Sequence, residues 1–227
     1  MLRVLTRIVD KVFNTAPERY VTMSNQCFED TTFTAVDFEL TSLELKTTEI
    51  TSIGNVSGKN GRLLLSTCDY SIIKTTADLG QSPVIHGLTE EQLCNGLSLQ
   101  VAIDKLLPHL TNSVLLFHNA SLDLAALHNA FVLLGLPKID VVYIDTLKLA
   151  LYQLRKQHQV LPLESATLAS CCERLGLPDF PEHNALDDAM ATLSVFFAQL
   201  SQLGIEQKNK INVLAHTKSV GYVTIGK

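Results

Sequence analysis

The chain has 227 residues, enough for one domain with a real core and a short appendage. Its formal net charge of −5 excludes the broad basic field with which proteins grip long duplex DNA. Five cysteines without a C-x-x-C spacing exclude a disulfide framework and a Cys-type zinc site and point to a reducing, cytoplasmic setting, and no apolar run reaches the ~18 residues of a membrane span.

In chain order, Leu2, Leu5, Ile8, Val9 and Val12 recur at helical spacing. Residues 1–30 therefore read as an amphipathic helix followed by a polar connector around Pro17. Strands are expected at Phe33–Phe38, Glu49–Val56 and Arg62–Ile73, the last two joined by the turn Ser57-Gly58-Lys59-Asn60-Gly61. A loop around Pro83 and Gly87 follows. Helices are expected at Leu97–Leu110, Ser121–Leu134, Thr146–Gln157, Ser165–Leu175 and Ala185–Leu203. Short apolar strands at Ser113–Phe117 and Val141–Ile144 separate the first three of these helices. On the last helix, Leu186, Met190, Leu193, Phe197 and Leu200 form a large apolar stripe. Ala185, Asp188, Ala189 and Thr192 form a small-residue face beside it, able to approach the sheet closely. Residues 205–227 read as a polar tail with a late strand at Tyr222–Ile225. Three antiparallel strands followed by alternating helices and strands give an α/β fold, a mixed sheet flanked by helices, with its body at 31–204.

Asp37 and Glu39 carry the strongest chemical signal. They are two apart in an otherwise apolar strand, so both carboxylates project to one face. Buried carboxylates need a positive partner, and no Lys or Arg lies between Phe33 and Glu44. A metal ion is the local partner this predicts. Asp123 opens a later helix, and His183, Asp187 and Asp188 cluster at the start of the last one. Each acid alone also reads as a first-turn residue facing the helix dipole. Periodicity does not choose between Asp187 and Asp188.

Taken in order, Asp37-Phe38-Glu39, His118-Asn119-Ala120-Ser121-Leu122-Asp123 and His183-Asn184-Ala185-Leu186-Asp187-Asp188-Ala189 resemble the motifs of the DEDDh, or DnaQ-like, 3′–5′ exonucleases. Val84-Ile85-His86-Gly87-Leu88-Thr89 and Asp145-Thr146-Leu147 are similar to two further segments of that family. The resemblance implies the ribonuclease H-like fold. It also implies that Asp37, Glu39, Asp123 and Asp188 hold two divalent cations, Mg²⁺ or Mn²⁺, and that His183 is the general base. Such ions suit hard oxygen ligands, and an imidazole titrating near neutrality suits proton transfer. By the same resemblance, Thr41, Leu43, His86 and Asn119 line the terminal-nucleotide pocket. Ser42 and Leu122 depart from the glycine and the aromatic usual at those places.

The implied activity is hydrolysis at single-stranded 3′ ends, DNA favoured over RNA, with release of nucleoside 5′-monophosphates. A polymerase or other protein is the expected partner, through the N-terminal helix or the C-terminal tail. A small-RNA exoribonuclease and a non-catalytic nucleic-acid-binding subunit stay open as alternatives.

Overall fold

The computed structural model describes residues 16–42, 48–75, 87–157, 160–162, 164–181 and 183–227. The expected N-terminal helix, Leu43, and most of the loop with His86 lie outside these residues. Three strands form an antiparallel meander, β1 (Phe33–Leu40), β2 (Ile50–Lys59) and β3 (Arg62–Ile72). The β2–β3 turn is tight because Asn60 and Gly61 both take positive φ (53° and 71°), the geometry that matches strand twist in a two-residue hairpin. β4 (Val114–Phe117) runs parallel to β1, and β5 (Ile139–Asp145) runs parallel to β4. β6 (Val220–Ile225) returns antiparallel to β5, giving the order β3-β2-β1-β4-β5-β6. The mixed sheet expected from the sequence is therefore present.

Each face of the sheet is sealed by helices. One face carries α3 (Leu99–Asn112) and α4 (Ala120–Leu133), which bury Ile103, Leu106, Leu110, Leu127 and Phe131 against Val36, Ile53, Leu115 and Phe117. The other carries α7 (Ala185–Gln202), which packs on Phe33, Ala35, Val56, Leu116 and Val142. α5 (Thr146–Gln157) and α6 (Leu168–Leu175) support α7 from outside through Ala150, Leu154, Cys171, Cys172 and Val195.

Two local expectations are corrected, and one short helix is added. Residues 14–30 are not only connector, because α1 (Glu18–Ser24) forms there. Pro17 stands just outside its first turn, where a missing N–H costs nothing. Arg19 then donates to the Leu110 carbonyl at 2.7 Å, satisfying an otherwise free group at the end of α3. A short helix, α2 (Glu90–Cys94), precedes α3, closed by a capping box between Thr89 and Gln92. Residues 205–227 are not a free tail. A 3₁₀ segment, Ile211–Thr217, buries Ile211 and Leu214 in the α7-side core, and β6 buries Ile225.

On α7 the small-residue face makes the close approach to the sheet that its short side chains allow. Leu193 and Leu200 are buried as expected, but Leu186, Met190 and Phe197 are only partly covered. The sealed residues are Ala185, Ala189, Leu193 and Phe196, each at 0% exposure. The helix lies so close to the sheet that its small-residue face, not its bulkiest one, makes the nearest approach.

Candidate functional site

The site forms where β1, the start of α4 and the start of α7 converge. Asp37 and Glu39 lie on the α7 face of β1, as their spacing requires. α7 begins at Asn184, whose side-chain oxygen accepts from the N–H groups of Leu186 (3.1 Å) and Asp187 (3.3 Å). One residue earlier, His183 adopts a left-handed backbone (φ 65°), costing on the order of 1 kcal/mol for a non-glycine residue. That turn aims the His183 N–H at Asp188, whose Oδ2 accepts it at 3.1 Å. The His183 loop is thus pinned to the aspartate beside it.

Asp37, Glu39 and Asp188 each offer an oxygen within 4.8 Å of the other two. Asp187, one residue earlier, is not part of that cluster. Asp123 is buried at the first turn of α4 and couples to Asp37 from the β4 side. Its carboxylate is held by its own N–H and by that of Phe38, the residue between the two β1 acids. The structure therefore brings Asp37, Glu39 and Asp188 together, with His183 tied to Asp188 and with Asp123 outside that cluster but near enough to oppose the charge of Asp37.

The electrostatics are those of a site that lacks positive charge. Burial, then the facing Asp123, Asp188 and Glu39, holds the Asp37 carboxyl well above the usual carboxylate range. Burial, then Asp188, pushes Glu39 up to about 7, with His183 pulling the other way. Burial also pushes Asp123 up to about 7 against the two N–H groups that accommodate its charge. A cleft of about 480 Å³ opens beside these acids, lined by Glu164, Asp179, His118 and Phe180 as well as by Asp37, His183 and Asp188. No Lys or Arg is among the described residues that line it. Three converging oxygen donors whose charges oppose one another suit a hard divalent cation, so these residues fit such an ion.

The expected nucleotide-pocket residues are placed less completely. Thr41 is partly buried and tied to the start of β2, its hydroxyl accepting from the Glu49 N–H and its own N–H reaching the Glu49 carbonyl, both at 3.0 Å. Asn119 is exposed, with a left-handed backbone (φ 80°) at the entry to α4. Leu43 and His86 lie outside the described residues.

Two residues of the quoted motifs carry positioning roles not expected from the sequence. His118 bridges the Thr146 hydroxyl (Nδ1, 2.8 Å) and the Ala166 carbonyl (Nε2, 2.9 Å). A carbonyl only accepts, so Nε2 donates to Ala166, while the Thr146 hydroxyl lies between Nδ1 and the Phe117 carbonyl (3.1 Å). Burial pushes this imidazole down, keeping it neutral. Asp145 is buried and accepts from the N–H groups of Asn119 (3.3 Å) and Lys148 (3.2 Å), tying the turn before α4 to the start of α5. The signal was available: both sit inside short motifs next to residues that were singled out.

A mixed six-stranded sheet with a carboxylate cluster at the junction of its central strand and two helices defines a ribonuclease H-like nuclease. Residues 34–196 match the family model for exonucleases of the ribonuclease T type. The chain belongs to the DnaQ-like, DEDDh 3′–5′ exonuclease family. It is 33% identical over 199 residues to the PolC-type DNA polymerase III of Thermotoga petrophila, a match covering 84% of this chain and 14% of that protein. The chain thus spans about one seventh of the length of that relative.

Among solved structures, exonuclease X in complex with 5′ overhanging duplex DNA superposes with a TM-score of 0.58 at 19% identity, over 80% of this chain and 98% of the other. The nuclease domain of 3′hExo, a DEDDh family member bound to rAMP, gives 0.58 at 20% identity, over 79% and 96%. These two likenesses establish the shared fold.

Proposed function

We propose that the chain removes nucleotides one at a time from the 3′ end of single-stranded DNA, using two divalent cations, Mg²⁺ or Mn²⁺, and releasing nucleoside 5′-monophosphates. The observation that carries this reading is the cluster of Asp37, Glu39 and Asp188 within 4.8 Å, with Asp123 coupled to it. Asp37, Glu39 and Asp188 would hold one ion, and Asp37 with Asp123 the other. Bound there, the ions would supply charge neutralisation at the scissile phosphate and a more acidic attacking water.

The chain's own groups do the rest. His183 stands at the exposed mouth of the cleft, its backbone pinned to Asp188, and takes the proton from the attacking water. The described lining of the cleft holds no cationic side chain, so a polyanion gains entry only once the carboxylates are neutralised. Contact with few phosphates through side chains also predicts a shallow salt dependence. DNA is favoured over RNA because the relatives are replicative DNA polymerases by name. A polymerase partner, engaged through residues 1–30 or 205–227, fits the same relatives. A cytoplasmic setting fits the five free cysteines, and among the described residues no helix is long and apolar enough to cross a membrane.

The test uses matched 5′-labelled DNA and RNA oligomers, single-stranded and blunt duplex, with Mn²⁺ and with chelator. The expectation is a descending ladder that needs metal, faster on DNA and on single strands. Release of the 5′ label as the first product refutes the direction. Faster turnover of RNA refutes the substrate assignment, and no cleavage of either leaves a binding module as the better account.

A further inference from the structure

Gly54 lies directly opposite Asp37 in the β1–β2 register. A Cβ built on it would stand 2.1 Å from the Ala185 carbonyl carbon, 2.2 Å from the Ala185 oxygen and 2.2 Å from the Leu186 nitrogen. All three are backbone atoms at the first turn of α7, so no side-chain rotation relieves the contact. The φ of Gly54 is not in the left-handed region, so space alone demands the glycine. Carbon atoms rest about 3.5–4.0 Å apart, so a single methyl here would push the start of α7 away from β2 by roughly 1 Å or more.

Asp188 is on that same first turn, and its oxygen must meet those of Asp37 and Glu39 across the gap. Asn184 and the His183 N–H fix the turn internally, through hydrogen bonds to Leu186, Asp187 and Asp188. They do not fix its distance from the sheet. That distance is set by Ala185, sealed at 0% exposure, resting on the bare backbone of Gly54. We infer that Gly54 is a positioning residue for the metal-binding carboxylates, holding Asp188 at ligand distance from Asp37 and Glu39 by letting the backbone of α7 touch β2.

The inference rests on the proposed metal site, and a neighbouring glycine separates the two questions. Gly58 lies on the same strand under the same helix, opposite Phe33 and away from the acids. A Cβ there would come within 2.9 Å of Leu193 Cδ2 and Phe197 Cε2, the ends of movable side chains, and of the Arg62 carbonyl oxygen. It disturbs the packing of α7 without touching the turn that carries Asp188.

The experiment compares wild type, Gly54→Ala, Gly58→Ala and Asp37→Asn by thermal melting and by calorimetric titration with Mn²⁺. Gly54→Ala is expected to keep a cooperative melt and to bind Mn²⁺ about 10–100-fold more weakly, the scale seen when the support of a metal ligand is lost. Its metal requirement for cleavage should rise in step. Gly58→Ala is expected to melt lower with unchanged Mn²⁺ affinity. Unchanged Mn²⁺ affinity in Gly54→Ala, or equal weakening in both glycine variants, overturns the inference. So does loss of folding in Gly54→Ala alone, which would make Gly54 a folding residue. Absence of Mn²⁺ binding by wild type, or full binding by Asp37→Asn, would instead refute the metal site itself.

Discussion

Asp37→Asn should make the metal-free protein more stable at alkaline pH while abolishing its activity. Asp37 faces Asp123, Glu39 and Asp188, and all three oppose its ionisation. The cost can be sized from Asp123, whose carboxyl moves from an ordinary 3.8 to about 7. At about 1.4 kcal/mol per pH unit, that is on the order of 4 kcal/mol, most of it from burial, the largest cause. Repulsion is the smaller part of such a shift, and each pH unit of it that Asp37→Asn relieves is worth about 1.4 kcal/mol, or roughly 3–6 °C in Tm for a domain of this size.

The pH dependence follows from proton counting. A carboxyl raised in the fold stays protonated between about pH 4 and 7 while its unfolded counterpart ionises, so the native state holds more protons and stability falls as pH rises through that window. Melts in chelator at pH 5 and pH 8 should show wild type losing stability between the two and the variant losing less. Added Mn²⁺ should restore wild type at pH 8 and do little for the variant. Parallel pH slopes, or a variant that melts below wild type at pH 8 in chelator, would mean that the acids do not burden one another and that the cluster is not a cation site.

Asp188→Ala should lose nearly all activity and Mn²⁺ affinity, whereas Asp187→Ala should keep both and lose only ~0.3–1 kcal/mol of stability from the helix dipole; turnover and calorimetry on the two side by side decide it. His183→Ala should lower kcat roughly 10²–10⁴-fold with Mn²⁺ affinity retained; near-normal turnover in the folded variant would remove His183 from proton transfer. Ile225→Ala, at the buried end of β6, should cost about 2–5 kcal/mol in denaturant melts without changing Mn²⁺ affinity; a loss of affinity would mean that the β5–β6 edge communicates with the site.

The sheet was legible because its strands are patterned for it. Asp37 and Glu39 interrupt an apolar run at a spacing of two, and Asn60-Gly61 marks the hairpin, so β1, β2 and β3 could be placed from composition and turn chemistry. The helices α4, α5 and α7 were legible from period and caps to within two residues at each end. The segment around α1 was not, because Pro17 is as common in a connector as beside a helix start, and only the Arg19 bond to Leu110 reveals which applies. The small-residue face of α7 was legible as the one able to approach the sheet closely. Which face comes nearest depends on what lies beneath, and here that is Gly54. Periodicity did not choose between Asp187 and Asp188, whereas the motif spacing of the family selected Asp188. The left-handed turn that brings the His183 N–H onto Asp188 is what no spacing rule encodes.

Both described ends of the chain converge on one margin of the sheet. α1 reaches that margin, where Tyr20 packs at a tilt against Tyr222 of β6 with ring centroids 4.9 Å apart. Cys27 bridges to Lys210. The acids lie on β1, three strands in from β6. α1 and the last strand thus share one border of the sheet, and the acids on β1 stand away from it.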